Sequence, residues 1–349
     1  MFFGLISSNS ILFSGAFVTS FLLILFFGKI FIPIMKTSQR LKQPIRTDGI
    51  KAHIDEKVGT PTMGGILTII AILISSFLFM DSGNLISWIP LIAMVSFGII
   101  GLIDDLSKLK RQNSYGGMSG WGRLATGGVI SIILTFMIDS VMPAYLPPLS
   151  IVLPFGIIIP LGIFYFVWSY FVITGTANAA NLTDGQDGLL SKVLMPVIVV
   201  MIIALIGLTR VNFMPNLIYL PEAAALFPIF GGMTGAILGF LWFNSKPASI
   251  FTGDVGSYGL GALLGTCALL MKSEIIMAVA SGVMVIVVIS SFMQMMYYKF
   301  IAPKGKAPFL MAPLHHHYEK KGIPETKITE RFFIASIIFA GIAIALLKL

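Results

Sequence analysis

The sequence predicts an all-α, polytopic membrane protein with about ten transmembrane helices. Of its 349 residues, 56% are hydrophobic and only 11% are charged, and the mean hydropathy is +0.94. Soluble domains carry about 25% charged residues, so this composition argues strongly against a water-soluble fold. The single cysteine, Cys267, excludes a disulfide framework and a cysteine-based metal site. We expect one integral membrane domain over residues 1–349.

The number of helices follows from apolar windows, because a span needs about 20 mostly apolar residues. The first window shows no cleavage pattern and is expected to be a span, not a signal peptide. The ninth is long and contains Gln294, so either a kinked or broken helix lining a lipid groove or a plain tilt fits it. The windows lie near residues 12–34, 62–80, 85–103, 124–143, 151–173, 189–208, 222–243, 256–271, 274–298 and 331–348.

Basic residues predict the orientation. With the N-terminus outside, the loops after the odd-numbered spans hold all of the 23 Lys and Arg residues except Lys29, Arg210, Lys272 and Lys348. The positive-inside rule therefore predicts that both termini are periplasmic and that these loops are cytoplasmic. The net charge of +8 fits this bias and contact with anionic lipid, so we expect no nucleic-acid partner.

The same loops contain every histidine of the chain and its close acidic pairs. Charge balance explains some acidic residues beside basic ones, but it does not explain why all four histidines are there. We therefore expect a functional surface on the cytoplasmic side, suited to phosphoryl transfer. The residues concerned are His53, His315, His316, His317, Asp104, Asp105, Asp184, Asp187 and Asp254.

Asp104 and Asp105 end an apolar helix at this face. They could simply terminate the span beside Lys108, or they could ligate Mg²⁺ or act as a base toward a phosphate. Adjacent residues on a helix point about 100° apart, so we expect the two carboxylates to have different roles.

A second polar segment runs from Asn178 to Gly188 between two apolar windows. Its Asn, Asp and Gly residues suit a tight loop, but its oxygen ligands and amides also suit a nucleotide, a sugar or a metal-bound phosphate. If a helix begins at or before Asp184, then Asp184 and Asp187 can face the same side.

A third segment places Asp254 between Gly253 and Gly256 ahead of an apolar window. Asp254 could be a helix N-cap or a metal ligand. Phe251 could stack on a base or anchor the loop in the interface. Asn244 precedes this segment.

Two further motifs complete the set, the segment from Lys57 to Gly65 and the histidine run 315–317. Three consecutive histidines cannot all ligate one metal from a regular helix. Imidazoles and lysines that contact a diphosphate fit the pattern better.

These motifs resemble the polyprenyl-phosphate N-acetylhexosamine-1-phosphate transferase superfamily over residues 36–335. The resemblance rests on Asp104-Asp105, on Asn178 to Gly188 and on Gly253 to Ser257. Within that superfamily, TPTMGG at 60–65 and APLHHHYEKKG at 312–322 resemble the phospho-N-acetylmuramoyl-pentapeptide-transferase family.

The resemblance implies a Mg²⁺-dependent transfer of phospho-MurNAc-pentapeptide from UDP to undecaprenyl phosphate, giving lipid I and UMP. The reaction is expected at the cytoplasmic face of the bacterial inner membrane. The sequence leaves open whether an aspartate forms a covalent phospho-enzyme, and one in-line step is preferred because it needs fewer assumptions. The implied metal ligands are Asp254 and Asp184, and Asp104 is the implied base. The other implied catalytic residues are Asp105 and His315, and the substrate-binding ones are Lys57, Thr62, Asn178, Asn181, Asp184, Asp187, Asn244, Phe251, His316 and His317.

The sequence departs from the family pattern in three places. Gln186 stands where Leu is expected, Thr252 where Met is common, and residues 117–123 are less basic, leaving Arg123 as their cation. The alternatives are a sister transferase that uses UDP-GlcNAc, and a secondary transporter, which would need internal repeats and a site near the bilayer midplane. The sequence leaves open whether the chain forms a homodimer.

Overall fold

The structure is a computed structural model, and it describes residues 8–38, 59–113, 116–210, 218–301 and 307–348. Helices dominate these residues and confirm the predicted all-α class. The helices are α1 Ser8–Ser38, α2 Gly65–Phe79, α3 Leu85–Arg111, α4 Gly120–Val141, α5 Phe164–Thr183, α6 Leu189–Leu208, α7 Phe227–Asn244, α8 Gly253–Leu270, α9 Glu274–Ala280, α10 Gly282–Phe300, α11 Leu314–Lys320 and α12 Glu325–Lys348, with short 3-10 turns at Pro154–Gly156 and Pro221–Leu226.

Within the described residues, seven helical segments are long and apolar enough to cross a membrane. The polytopic membrane fold is therefore confirmed, while the total of ten spans and the orientation of the termini stay predictions. The seven segments are Ser8–Ser38, Leu85–Arg111, Gly120–Val141, Leu189–Leu208, Pro221–Asn244, Gly282–Phe300 and Glu325–Leu347.

The fifth predicted window, 151–173, is wrong in its first half. Instead of a helix from residue 151, the chain forms a hairpin of β1 Ser150–Val152 and β2 Ile158–Pro160, paired antiparallel with Ile151 opposite Ile159. Pro154 and Pro160 lack the N–H that a helix requires, and the isoleucines between them favour extended backbone. The helix of this window, α5, begins only at Phe164.

The ninth window is a broken helix. Its first part, α9, ends at Ala280, and α10 begins at Gly282, with Ser281 between them. A side chain at position 282 would come within 2.3 Å of the Phe339 ring, so the break brings the backbone close to α12. The predicted lipid groove beside this helix stays a prediction.

Helix α8 lies at the centre of the bundle, and its residues from Val255 to Leu270 are buried. Small residues let its first turn approach two neighbouring helices at backbone distance. A Cβ on Gly65 of α2 would lie 2.1 Å from Cα of Gly256, and one on Gly101 of α3 would lie 2.2 Å from the carbonyl oxygen of Asp254. The start of α8 is therefore held directly between α2 and α3, beside the end of α3 that carries the acidic pair.

Candidate active site

Two distant loops pair through their backbones at the start of α2 and α8. Phe251 donates its N–H to the Pro61 carbonyl at 2.9 Å, and the N–H groups of Gly64 and Gly65 donate to Phe251 and Thr252 at 2.9 and 2.8 Å. The Thr62 side chain is buried inside this pairing. The TPTMGG motif and the segment ahead of Asp254 thus form one platform.

Asp105 is attached to this platform. Its Oδ2 accepts the N–H of Val255 at 3.2 Å. Gly253 has a φ of +74°, and a Cβ there would lie 2.7 Å from Oδ2 of Asp105 and 2.9 Å from Oγ1 of Thr62. Glycine is therefore required at 253 for both its backbone conformation and the space it leaves.

Asp104 points in another direction, which agrees with the different roles expected for the pair. Its Oδ1 accepts the Met118 N–H at 2.6 Å and lies 3.3 Å from the Arg123 guanidinium. Its side chain is fully buried. Arg123, the cation that the sequence retained in the 117–123 segment, is thus in contact with the acidic motif.

Lys108 joins the carboxylates of two helices. Its ammonium lies 2.6 Å from Oδ2 of Asp104 and 2.7 Å from Oδ2 of Asp254, and the Arg123 guanidinium lies 3.9 Å from the same Asp254 oxygen. Sequence reasoning treated Lys108 only as a neighbour at the helix end. Its i,i+4 spacing from Asp104 was the signal that could have identified it.

The last turn of α5 supplies the third side of this cluster. Asn181 donates its amide to Oδ1 of Asp254 at 2.8 Å and to Oγ of Ser257 at 3.0 Å. One turn earlier, Asn178 accepts a hydrogen bond from the Tyr258 hydroxyl at 3.1 Å. Asp254 itself lies in the first turn of α8 behind the capping residue Thr252, so the N-cap interpretation of Asp254 is wrong.

Asp184 and Asp187 lie in a loop, since α5 ends at Thr183 and α6 begins at Leu189. The condition for a shared helix face, a helix that begins at or before Asp184, is therefore not met. Oδ1 of Asp184 accepts the Thr252 hydroxyl at 3.0 Å, and Oδ2 of Asp187 accepts the Ala248 N–H at 3.1 Å. Both aspartates thus hold this loop against the segment that leads into α8.

Asn244 links the same two segments at the end of α7. Its Oδ1 accepts the Gly188 N–H at 3.1 Å, and its amide donates to the Ile250 carbonyl at 2.9 Å. Both bonds go to backbone groups, which makes Asn244 a brace of the loops in this conformation.

The histidine run forms the short helix α11, and its three rings have different surroundings. His315 is fully buried, with Nε2 so close to Gly185 that a Cβ there would lie 2.2 Å away. His316 contacts Glu319 through Nδ1 at 2.8 Å. Nδ1 of His317 accepts the Leu310 N–H at 3.0 Å. Partial burial and the nearby Lys321 ammonium lower the pKa of His317, so it is neutral at pH 7 and carries its proton on Nε2.

Two glutamates that sequence reasoning missed tie the histidine region to the loops. Oε1 of Glu325 accepts the Asp187 N–H at 2.9 Å, and its Oε2 lies 2.5 Å from the Lys246 ammonium. Glu319 accepts from the Gln186 amide at 2.5 Å. Neither glutamate lies in a motif that the sequence alone would assign to these partners.

Known proteins match this chain over most of its length. The family model described as glycosyl transferase family 4 matches residues 87–272. The phospho-N-acetylmuramoyl-pentapeptide-transferase of Rickettsia massiliae (strain Mtu5) is 42% identical over 330 residues, covering 92% of this chain and 89% of that protein. The proteins of the same name from Rickettsia felis (strain ATCC VR-1525 / URRWXCal2) and Rickettsia prowazekii (strain Madrid E) are 42% and 41% identical, with the same coverage.

The chain belongs to the phospho-N-acetylmuramoyl-pentapeptide-transferase family. It is thus a transferase that acts as a phosphotransferase, which is what its clustered carboxylates and cations suit. The glycosyl transferase family 4 region contains Asp104, Asn181 and Asp254, whereas the platform residue Thr62 and the histidine helix α11 lie outside it.

The donor set of this family member suits a magnesium ion shared with substrate. Among the described residues, no group of three or more His, Cys, Asp or Glu side chains is arranged to hold a metal ion. Mg²⁺, however, is usually bound by one or two carboxylates together with substrate phosphates. Asp254 presents an oxygen to the Lys108 ammonium, a place where positive charge is already stabilised, and Asp184 is joined to the same start of α8 through the Thr252 hydroxyl. The residues present therefore fit the ion.

The predicted substrate-binding roles of Lys57 and Phe251 stay predictions. Lys57 lies outside the described residues. Phe251 is half-buried and its backbone forms part of the platform, and its predicted stacking on a base stays a prediction.

Proposed function

We propose that this protein transfers phospho-MurNAc-pentapeptide from its UDP carrier to undecaprenyl phosphate, giving lipid I and UMP for peptidoglycan synthesis. Its substrates place the reaction at the cytoplasmic face of the bacterial inner membrane, because one is a soluble nucleotide and the other a membrane lipid. The main support is that Asp104, Lys108, Arg123 and Asp254 form one charged cluster although they come from three helices.

The chemistry is one in-line displacement. An oxygen of the lipid phosphate attacks the phosphorus that is bonded to the sugar, and a new P–O bond forms. The bond from this phosphorus to the bridging oxygen breaks, and UMP leaves with the electron pair. Both reactants are anions, so Lys108 and Arg123 lower the repulsion between them and stabilise the charge that develops on the leaving phosphate.

We assign Mg²⁺ to Asp254, with Asp184 as the second protein ligand. The Asp254 side chain is 16% exposed, whereas that of Asp104 is fully buried, so Asp254 is the more accessible to a metal-bound nucleotide. When bound, the ion supplies Lewis acidity toward the phosphate oxygens. Asp184 contributes from the loop that Thr252 joins to the start of α8.

Asp104 is the proposed base toward the lipid phosphate. In this conformation its oxygens contact the Lys108 ammonium, the Arg123 guanidinium and the Met118 N–H. Asp104 can accept a proton only after the Lys108 ammonium leaves it and contacts the anionic substrate instead. Asp105 keeps a positioning role, because it holds the first turn of α8 through the Val255 N–H.

The remaining residues bind the nucleotide end of the donor or position the loops around it. His316 and His317 donate to the diphosphate, and Asn178, Asn181 and Phe251 approach the uridine and sugar. Thr62 is buried in the platform and positions this segment, and Lys57 keeps its predicted role in substrate binding. His315 is buried behind Gly185, so it shapes the 184–188 loop and does not touch substrate. Asp187 and Asn244 brace that loop through backbone groups.

The test is release of UMP by purified protein supplied with UDP-MurNAc-pentapeptide, undecaprenyl phosphate and Mg²⁺. We expect UMP from the wild type, about 1,000-fold less from Asp254→Asn and Asp104→Asn, and full activity from Asp81→Asn. Asp81 is a matched control because it is an exposed aspartate that accepts the Gly83 N–H. No UMP from the wild type would refute the function, and UMP from UDP-GlcNAc instead would favour the sister transferase.

A further inference from the structure

A chain of three side chains connects the 184–188 loop to the histidine helix. The Gln186 amide donates to Oε1 of Glu319 at 2.5 Å, and Oε2 of the same carboxylate lies 2.8 Å from Nδ1 of His316. Gln186 is 133 residues from Glu319 in sequence, and both side chains are buried. Gln186 is also one of the positions where this sequence departs from its family.

The carboxylate of Glu319 determines which nitrogen of His316 carries a proton. A carboxylate accepts hydrogen bonds, so Nδ1 of His316 must be the donor. Among the residues that the structure describes, Glu319 is the hydrogen-bond partner of this ring, and no other described residue bonds to Nε2. Nε2 is therefore the nitrogen left to meet a ligand.

The burial of Gln186 gives the carboxylate a fixed position. A buried carboxylate needs several donors, and the Gln186 amide supplies one that the leucine expected at this place cannot. With one oxygen bonded to Gln186 and the other to His316, Glu319 cannot rotate without losing a bond. The same bonds also join the loop of Asp184 and Asp187 to helix α11.

We propose that Glu319 and Gln186 are positioning residues for His316: they orient its ring so that Nε2 faces the diphosphate of the nucleotide substrate. This rests on the proposed function for the identity of the ligand. Residues of this kind, which orient a group that binds the ligand, commonly change affinity or activity by about 10–100-fold when removed.

A double-mutant cycle on the purified enzyme tests the coupling. We expect Glu319→Ala and His316→Ala each to raise KM for the nucleotide substrate about tenfold with a smaller change in kcat. The double variant should match His316→Ala alone, because Glu319 acts only through that ring. Gln186→Leu should raise KM about threefold in the wild-type background and not at all beside Glu319→Ala.

The control is Glu330→Gln, which changes the same residue type in an exposed ion pair with Lys192 and should leave KM unchanged. The proposal would be overturned if the increases in KM caused by Glu319→Ala and His316→Ala multiplied in the double variant, because the two residues would then act independently. If Glu319→Ala does not fold, Glu319→Gln takes its place in the cycle, since it keeps the shape and removes the charge.

A second readout separates this inference from the proposed function. In ¹⁵N-histidine NMR spectra we expect a protected Nδ1 proton on His316 that is lost in Glu319→Ala and kept in Glu330→Gln. Absence of that proton in the wild type refutes the positioning role even if UMP is released. If the Nδ1 proton is present but the protein releases no UMP, the proposed enzyme activity is refuted and the positioning role is not.

Discussion

The ammonium nitrogen of Lys108 lies 2.7 Å from Oδ2 of Asp254, a residue 146 positions further along the chain. The same nitrogen contacts Asp104 one helical turn before it, so this single cation joins the acidic motif of α3 to the start of α8. Without it, two carboxylates would face each other with only Arg123 nearby, and like charges at short range destabilise one another.

Lys108→Gln should therefore lower kcat/KM by about 100-fold or more, because the variant loses charge compensation for both the carboxylates and the anionic substrates. Lys108→Arg should retain part of the activity. The matched control is Lys110→Gln on the exposed side of the same helix, which should behave like wild type. Equal UMP release by the two glutamine variants would contradict this role.

The contact between Gly65 and Gly256 leaves no room for a side chain. Gly65→Ala and Gly256→Ala should each lower the free energy of unfolding by about 1–3 kcal/mol, since the new Cβ would lie 2.1 and 2.7 Å from the opposing Cα. Unfolding in mixed micelles measures this. Gly341→Ala in α12 is the control, because a Cβ there meets nothing within 4 Å. A stable Gly65→Ala protein would show that the helices can separate at this point.

Cys267 is the single cysteine of the chain and is 1% exposed inside α8. Reaction with a maleimide requires the thiolate to reach solvent, so the folded protein in detergent should be labelled by less than about a tenth in the time that labels the denatured protein fully. Mass spectrometry of the intact chain gives the labelled fraction. Rapid labelling of the folded, active enzyme would show that α8 is not the central helix.

The predicted orientation follows from the basic loops and can be tested with reporters. Alkaline phosphatase fused after Leu349 should be active, because that enzyme needs the oxidising periplasm, and a fluorescent protein fused there should stay dark. When fused after Arg111, at the acidic end of α3, alkaline phosphatase should be inactive and the fluorescent protein should fluoresce. A bright fusion at the C-terminus would place that end inside and reverse the assigned sidedness.

Sequence reasoning found the long apolar helices because their signal is local: each window contains its own hydrophobic run and end signals. It missed the hairpin at 150–160, although Pro154 and Pro160 were visible, because the run of isoleucines outweighed them in a hydropathy window. It also left open whether Asp184 and Asp187 lie in a tight loop or at the start of a helix, and the tertiary bonds to Thr252 and Ala248 that hold them in a loop could not be read from the sequence.

In the candidate site, too, the sequence identified some residues and missed others. The motif residues Asp104, Asn181 and Asp254 were identified by pattern, and the structure brings them together. The partners that hold them were not, because a lone Glu319 or Glu325 has no pattern that specifies a residue 133 or 138 positions away. Lys108 was also missed, although its i,i+4 spacing from Asp104 is visible in the sequence and could have identified it.

Glu325 opens the last helix and bonds to both the Asp187 N–H and the Lys246 ammonium. Every aspartate in the cluster is synthesised before it. A nascent chain therefore carries Asp104, Asp184, Asp187 and Asp254 before it has the residue that holds the 184–188 loop, so the arrangement of the site depends on α12, the last helix that the structure describes.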